Sequence, residues 1–129
     1  MQLSLRDNLP FVTLTISYAG QTTEAKHVLV DTGSATTIMA ADTMAAIRIV
    51  PSPDDKLHII RGIGGSEVVF SRVVDCLQLG DYRLPEFEIE VGGMDYGFAI
   101  DGILGMDALM QMGAIIDFRQ MQIRFDDQH

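Results

Sequence analysis

Val28-Leu29-Val30-Asp31-Thr32-Gly33-Ser34 is the stretch on which the reading of this chain turns. Three apolar residues, two of them β-branched, favour a buried strand. They run straight into an acid, a hydroxyl and a glycine, which is how a chain sets a carboxylate at the tip of a tight loop. The triplet Asp31-Thr32-Gly33 occurs once in the 129 residues. A reaction that needs two such carboxylates therefore requires two copies of the chain.

Outward from this loop the chain reads as short strands. Residues 11–18 alternate, with Leu14, Ile16 and Tyr18 on one side and Thr13, Thr15 and Ser17 on the other, the period of a half-buried strand. Ala19-Gly20-Gln21 turns the chain, and residues 25–30 return as a second strand. Beyond the loop, Ile38 and Met39 continue the apolar pattern, residues 40–47 are rich in helix formers, and Pro51-Ser52-Pro53 ends that region. Residues 58–60 and 67–79 read as the arms of a hairpin with Arg61-Gly62-Ile63-Gly64-Gly65-Ser66 at its tip. Residues 84–91 form a strand with Phe87, Ile89 and Val91 inward and Glu86, Glu88 and Glu90 outward.

Ile100-Asp101-Gly102-Ile103-Leu104-Gly105 reads as an apolar loop between glycines, residues 106–112 as a short helix, and residues 114–118 with 121–125 as a closing hairpin. Met106 and Met110 share one helical face and are expected in the core, and Cys76 in a buried strand. The pattern predicts an all-β chain with one or two short helices, a single domain over residues 1–129.

Bulk properties narrow the function. Eighteen acids against nine Lys and Arg give a net charge of −9, which argues against a nucleic-acid partner. Cys76 is alone, so no intrachain disulfide forms. His27, His58 and His129 share no ligand spacing with one another or with Cys76, so no metal is expected. Residues 62–66 lack the lysine of a phosphate loop. The first residues show no basic start followed by an apolar run, and no stretch approaches membrane-spanning length. A cytoplasmic location is the expectation, whether the chain stands alone or is a domain of a longer tethered protein.

Three features stand in order: an apolar strand into Asp31-Thr32-Gly33-Ser34, a glycine-rich hairpin tip, and Ile103-Leu104-Gly105 leading into a helix. This order resembles the retropepsin-like aspartic proteases of bacterial or cellular type, single-domain relatives of pepsin, over residues 11–125. The resemblance implies an acid-protease closed β-barrel with one half-site per chain. It implies an aspartic endopeptidase that works as a homodimer on a peptide or protein substrate, without a cofactor. Hydrolysis by this route needs one carboxylate as base on a water and one carboxylic acid to protonate the carbonyl oxygen. Two adjacent carboxyls cannot both ionise, so a dyad shares a proton.

On this resemblance Asp31 is catalytic, and Thr32, Gly33 and Ser34 support its loop. Thr32 is expected to bond across the dimer, Gly33 to bring its backbone close to the carboxylate, and the Ser34 hydroxyl to donate to that carboxylate. Arg61, Gly62, Ile63, Gly64 and Gly65 form the implied flap. Ala35, Ile38, Ile103 and Leu104 line the implied substrate pocket, with a preference for apolar side chains. Asp101 is expected to be structural. Ala35-Thr36 departs from the family, since many retroviral enzymes carry two substrate-gripping acids there. The chain ends, residues 1–5 and 121–127, are expected to interleave as the dimer sheet. Like charges at Asp126 and Asp127 would loosen that sheet at neutral pH.

Two other readings stay open at this level. One is a catalytically weak or inactive dimeric protein-binding or assembly module on the same fold, since function does not follow from fold. The other makes Asp31 a turn residue of an unrelated barrel, which implies a stable monomer with no cleft.

Overall fold

A computed structural model describes residues 1–62, 65–93 and 99–125. Asp7 and Asn8, both at positive φ, join β1 (Ser4–Arg6) to β2 (Leu9–Tyr18) in a two-residue turn. That conformation matches the right-handed twist of paired strands. Ala19 and Gly20, again at positive φ, join β2 to β3 (Gln21–Val30), and the Asp75 carboxylate accepts the Ala19 N–H at 2.8 Å. The alternation read in residues 11–18 holds: Leu14 and Ile16 are fully buried, while Thr13, Thr15 and Ser17 remain half-buried.

After β3 come β4 (Ile38–Ala40), α1 (Ala41–Ala45), β5 (Leu57–Gly62), β6 (Gly65–Leu79) and β7 (Tyr82–Gly92). They are followed by β8 (Gly102–Leu104), α2 (Met106–Met112), β9 (Ala114–Asp117) and β10 (Gln122–Phe125). The main sheet runs β1-β2-β3-β8-β4-β7-β6-β5, and a further β2–β6 pairing closes six of its strands into a barrel. The all-β closed barrel with two short helices is the fold read from the sequence.

Several elements differ from the expectation. Residues 100–105 are not all loop, because β8 lies within them. Its three residues are all buried, so no polar alternation marked it as a strand. α1 stops at Ala45, and the chain then turns back through Arg48 at φ 64° to bury Ile47 and Ile49. Met106 is partly buried against the core, where Ala108, Leu109 and Met112 also face, whereas Met110, expected there too, is 71% exposed. Cys76 is buried in β6 as expected.

The barrel core is mainly aliphatic, with Leu14, Ile16, Met39, Leu77, Ile89 and Leu104 among its fully buried side chains and Phe70 and Phe87 beside them. Each such burial contributes roughly 1.5–3 kcal/mol. A second cluster, Phe11, Ile100 and Ile103 with Leu9 and Leu29, sits apart from it. The chain's own ends meet: Leu3 N–H donates to Met121 O and Ile123 N–H to Met1 O, both at 2.8 Å, with Gln2 bridged to Gln122. Ile63 and Gly64, expected in a flap, and Asp126 and Asp127 lie outside the described residues. No helix among the described residues is long and apolar enough to cross a membrane.

One charged side chain ties down the segment that leads into the β5–β6 hairpin. Arg72 on β6 donates through Nε and Nη2 to Asp55 at 3.1 and 2.8 Å, and through Nη2 to the Val50 carbonyl at 2.9 Å. Its guanidinium also lies over the Tyr18 and Phe70 rings. These bonds hold the Asp55 carboxyl below its ordinary range, the Arg72 hydrogen bond first and the Ser52 N–H after it. A carboxyl depressed by folding stabilises the fold above its unfolded value, near 3.9, and that stabilisation is lost as pH falls through the folded value. Asp55→Asn is therefore expected to lower the melting temperature at pH 7 and to flatten its fall below about pH 4. Thermal scans from pH 2 to 7 read this; an acid limb as steep in the variant as in the wild type would contradict it.

Candidate active site

β3 delivers Asp31 by running one residue past its last pair with β8. Val30 sits opposite Leu104, and the Asp31 N–H then donates to the Leu104 carbonyl at 3.0 Å. The chain turns at once. The Gly33 N–H donates to Asp31 Oδ1 at 2.8 Å, and the Ser34 N–H to the Asp31 carbonyl at 3.2 Å. An aspartate that bonds its own backbone two residues on makes a compact turn. A Cβ at Gly33 would lie 3.1 Å from that same carboxylate oxygen, so glycine suits the approach. Asp31 is left half-buried, with Thr32, Gly33 and Ala35 exposed around it.

The underside of the loop is bonded to the start of α2. The first amides of a helix have no partner within it. Here the Met106 N–H donates to Ser34 O at 2.8 Å and the Asp107 N–H to Ala35 O at 3.2 Å. Thr37, with no exposed surface, completes the junction. Its hydroxyl donates to Asp107 Oδ1 at 2.7 Å and accepts the Gly105 N–H at 3.1 Å, while its own N–H donates to Asp107 Oδ2 at 3.2 Å. Gly105 packs so closely that a Cβ there would fall 2.2 Å from the Thr36 carbonyl oxygen.

Neither Thr37 nor Asp107 stands out in the sequence. An acid in the first turn of a helix is a visible signal, but nothing local links it to a threonine in another loop. Thr37→Val removes a charge-assisted bond and strands a buried N–H, a loss of about 2 kcal/mol. Urea unfolding at pH 7 is expected to show that loss, with Thr37→Ser recovering most of it. A Thr37→Val midpoint equal to the wild type would contradict this role.

Asp101 lies level with His27 on β3, at the end of β8 away from the Asp31 loop, and is fully engaged there. Asp101 Oδ2 accepts the Lys26 and His27 N–H groups at 3.1 and 3.0 Å, and Oδ1 accepts the Thr43 hydroxyl at 3.3 Å. Its backbone bonds His27 O and Ala40 N at 2.8 Å each. Asp101 therefore joins β3, β4 and α1, the structural part expected of it. Ser34 differs from expectation: its hydroxyl donates to the Thr36 carbonyl at 2.7 Å, and its single proton is thereby committed away from the Asp31 carboxylate.

The other expected residues fall in distinct places. Ile38 and Ile103 face each other across β4 and β8 and are both buried. Ala35 is exposed beside the loop. Leu104 lies in the barrel core and reaches the loop through its carbonyl. The β5–β6 backbone pairs from Leu57↔Phe70 through Arg61↔Ser66 to Gly62↔Gly65, so Arg61, Gly62 and Gly65, expected in a flap, lie on a paired hairpin. Thr32 lines a groove of about 220 Å³ together with Met106, Met110, Ala114 and Ile116.

Among the described residues, no three His, Cys, Asp or Glu side chains converge as metal ligands would. The arrangement offers one rigidly placed, half-exposed carboxylate per chain, with the neighbouring acids bound to backbone. A family model described as aspartyl protease matches residues 12–108. No curated protein matches the chain.

Proposed function

Because the chain belongs to the aspartyl protease family, in its retropepsin type, we propose that it is an aspartic endopeptidase active as a homodimer. The observation that carries this reading is the single Asp31, held half-exposed at the tip of a loop that Leu104, Met106 and Asp107 bond from beneath. Asp101 is no second acid, since both its oxygens already accept bonds. The partner carboxylate comes from Asp31 of a second copy, across a two-fold axis.

In the dimer one carboxyl is ionised and the other protonated. The ionised group takes a proton from a water as that water attacks the scissile carbonyl carbon, and the protonated group gives its proton to the carbonyl oxygen. The gem-diol collapses as its C–N bond breaks: the first carboxyl passes the water's proton to the leaving nitrogen, one gem-diol hydroxyl gives its proton to the second carboxylate as the C=O re-forms, and the dyad regains its starting protonation. No covalent intermediate forms. Rigid placement of both loops supplies the orientation this requires. The substrate lies extended under the β5–β6 hairpins, pairing its backbone with their edges. Exposed Ile59 and Val68, opposite each other in that hairpin, favour apolar side chains in the substrate.

Cleavage of a mixed peptide library between pH 4 and 7, over a range of protein concentrations, tests the reading. Cutting is expected, with specific activity rising as protein concentration rises. A folded dimer that cuts nothing across this range would favour the binding-module reading.

A further inference from the structure

Four strands carry one apolar row on the face of the sheet turned away from the barrel core. Phe11 pairs with Leu29, Leu29 with Ile103, and Ile103 with Ile38. Directly paired residues share a face of a sheet. Their chain neighbours Val12, Val28 and Leu104 belong to the barrel core, so this row faces the other way. Phe11, Ile103 and Ile100 pack there as a cluster with Leu9 and Leu29. Asp31 lies two residues past Leu29, still bonded to Leu104 as the next step of the ladder, and so shares the face of the row. The row therefore borders the Asp31 loop, where a side chain beside a cut bond would rest.

Ile100 differs from the rest of the cluster in lying outside the strands. The residue after it is fixed by backbone: the Asp101 N–H donates to the His27 carbonyl, and the Asp101 carbonyl accepts from Ala40, at 2.8 Å each. The residue before it is held by a side chain from the other end of the chain. Arg6, the last residue of β1, donates through Nη2 to the Ala99 carbonyl at 3.2 Å. The same guanidinium lies over the Phe11 ring, 5.1 Å from its centre, the contact a planar cation makes with an aromatic face. One half-buried side chain thus grips Ala99 and covers Phe11 together, and Ile100 is left 6% exposed against the cluster.

Resting on the aspartic endopeptidase reading, we propose that Arg6 is a positioning residue that sets substrate selectivity. By holding Ala99 and Phe11 together it fixes Ile100 against Ile103, and with it the shape of the apolar row that meets the substrate. The substrates so selected carry an apolar side chain of defined size beside the cut bond. A row held in one shape separates side chains that differ by a methylene about 10–200-fold in kcat/KM, whereas a row free to shift accommodates both.

Two peptides that differ only in one apolar side chain beside the cut bond, chosen as the pair the wild type separates most, test this with Arg6→Ala and Arg6→Lys. The ratio of their kcat/KM values cancels the amount of folded, assembled enzyme, so a merely structural loss leaves it unchanged. In Arg6→Ala the ratio is expected to fall toward one by about threefold or more, with faster amide hydrogen exchange at residues 99–101. Arg6→Lys keeps a donor for Ala99 but not the planar face over Phe11, and its ratio is expected to fall in between. A ratio equal to that of the wild type in both variants, or a wild type that cuts all such pairs alike, would overturn the role of Arg6 and leave the protease reading standing. If the folded wild type cuts no peptide, the protease reading falls, and the ratio of the two dissociation constants, read by fluorescence anisotropy, takes the place of kcat/KM. A binding ratio that Arg6→Ala draws toward one would then support the placement of Arg6; an unchanged ratio, or no binding of either peptide, would overturn it.

Discussion

Asp31→Asn is expected to abolish peptide cleavage, by about 10³-fold or more in kcat/KM, while the barrel stays folded. The amide has nearly the shape of the carboxylate, and its oxygen can still accept the Gly33 N–H that Asp31 Oδ1 accepts now. What it cannot do is take a proton from water or hold one for the carbonyl oxygen. In a homodimer the substitution falls on both half-sites together. Asp101→Asn gives the contrast. Its two oxygens accept three bonds from β3 and α1, and an amide keeps only one acceptor oxygen, so that variant loses about 1–2 kcal/mol of stability. Activity per folded Asp101→Asn dimer is expected to stay near that of the wild type. The reverse pattern, a stable inactive Asp101→Asn beside an active Asp31→Asn, would mean that the catalytic acid has been misassigned.

Gly105→Ala is expected to be among the most damaging single-methyl additions in the chain. The new Cβ would meet Thr36 O at 2.2 Å, Thr36 C at 2.5 Å and Ser34 O at 3.0 Å, all backbone atoms that no rotamer change can move aside. Relief requires the Asp31 loop and the start of α2 to part, which also breaks the Gly105 N–H bond to Thr37. Overpacking of this kind costs about 3 kcal/mol or more, a fall in melting temperature of roughly 10 °C for a domain of this size. Because the displaced loop carries Asp31, kcat is expected to fall as well at temperatures where the variant is folded. Thermal unfolding with an activity assay at low temperature reads both effects. A Gly105→Ala protein that melts with the wild type would show that the loop has room the geometry denies it.

Much of this architecture was legible in the sequence, and the rest was hidden for definite reasons. β2 and β7 announced themselves through period-2 alternation, because each has one buried and one wet face. α2 was legible to the residue, from its helix formers and the glycines that flank it. Asp31 was legible because an apolar strand running into Asp-Thr-Gly leaves few local alternatives. β8 was not, since three buried residues have no polar face to alternate with, and its insertion between β3 and β4 depends on pairing far along the chain. Thr37 and Asp107 were hidden by the same sequence separation. The partner of the Ser34 hydroxyl was not legible, because a hydroxyl beside an acid has a second acceptor in the nearby backbone, which it uses. The outward turn of Met110 follows from the packing of α2 through Ala108, Leu109 and Met112, which a helical period alone does not orient.

Whether two copies of Asp31 share one active site is read by titrating Asp31→Asn into the wild-type protein. The total concentration is held constant above the dimer dissociation constant, and subunits are allowed to exchange before peptide cleavage is measured. If each site needs both carboxylates, mixed dimers are inactive, and an equal mixture retains about a quarter of the wild-type activity, falling as the square of the wild-type fraction. Activity that falls in simple proportion, to about half in the equal mixture, would show that each chain works alone and would contradict the shared dyad.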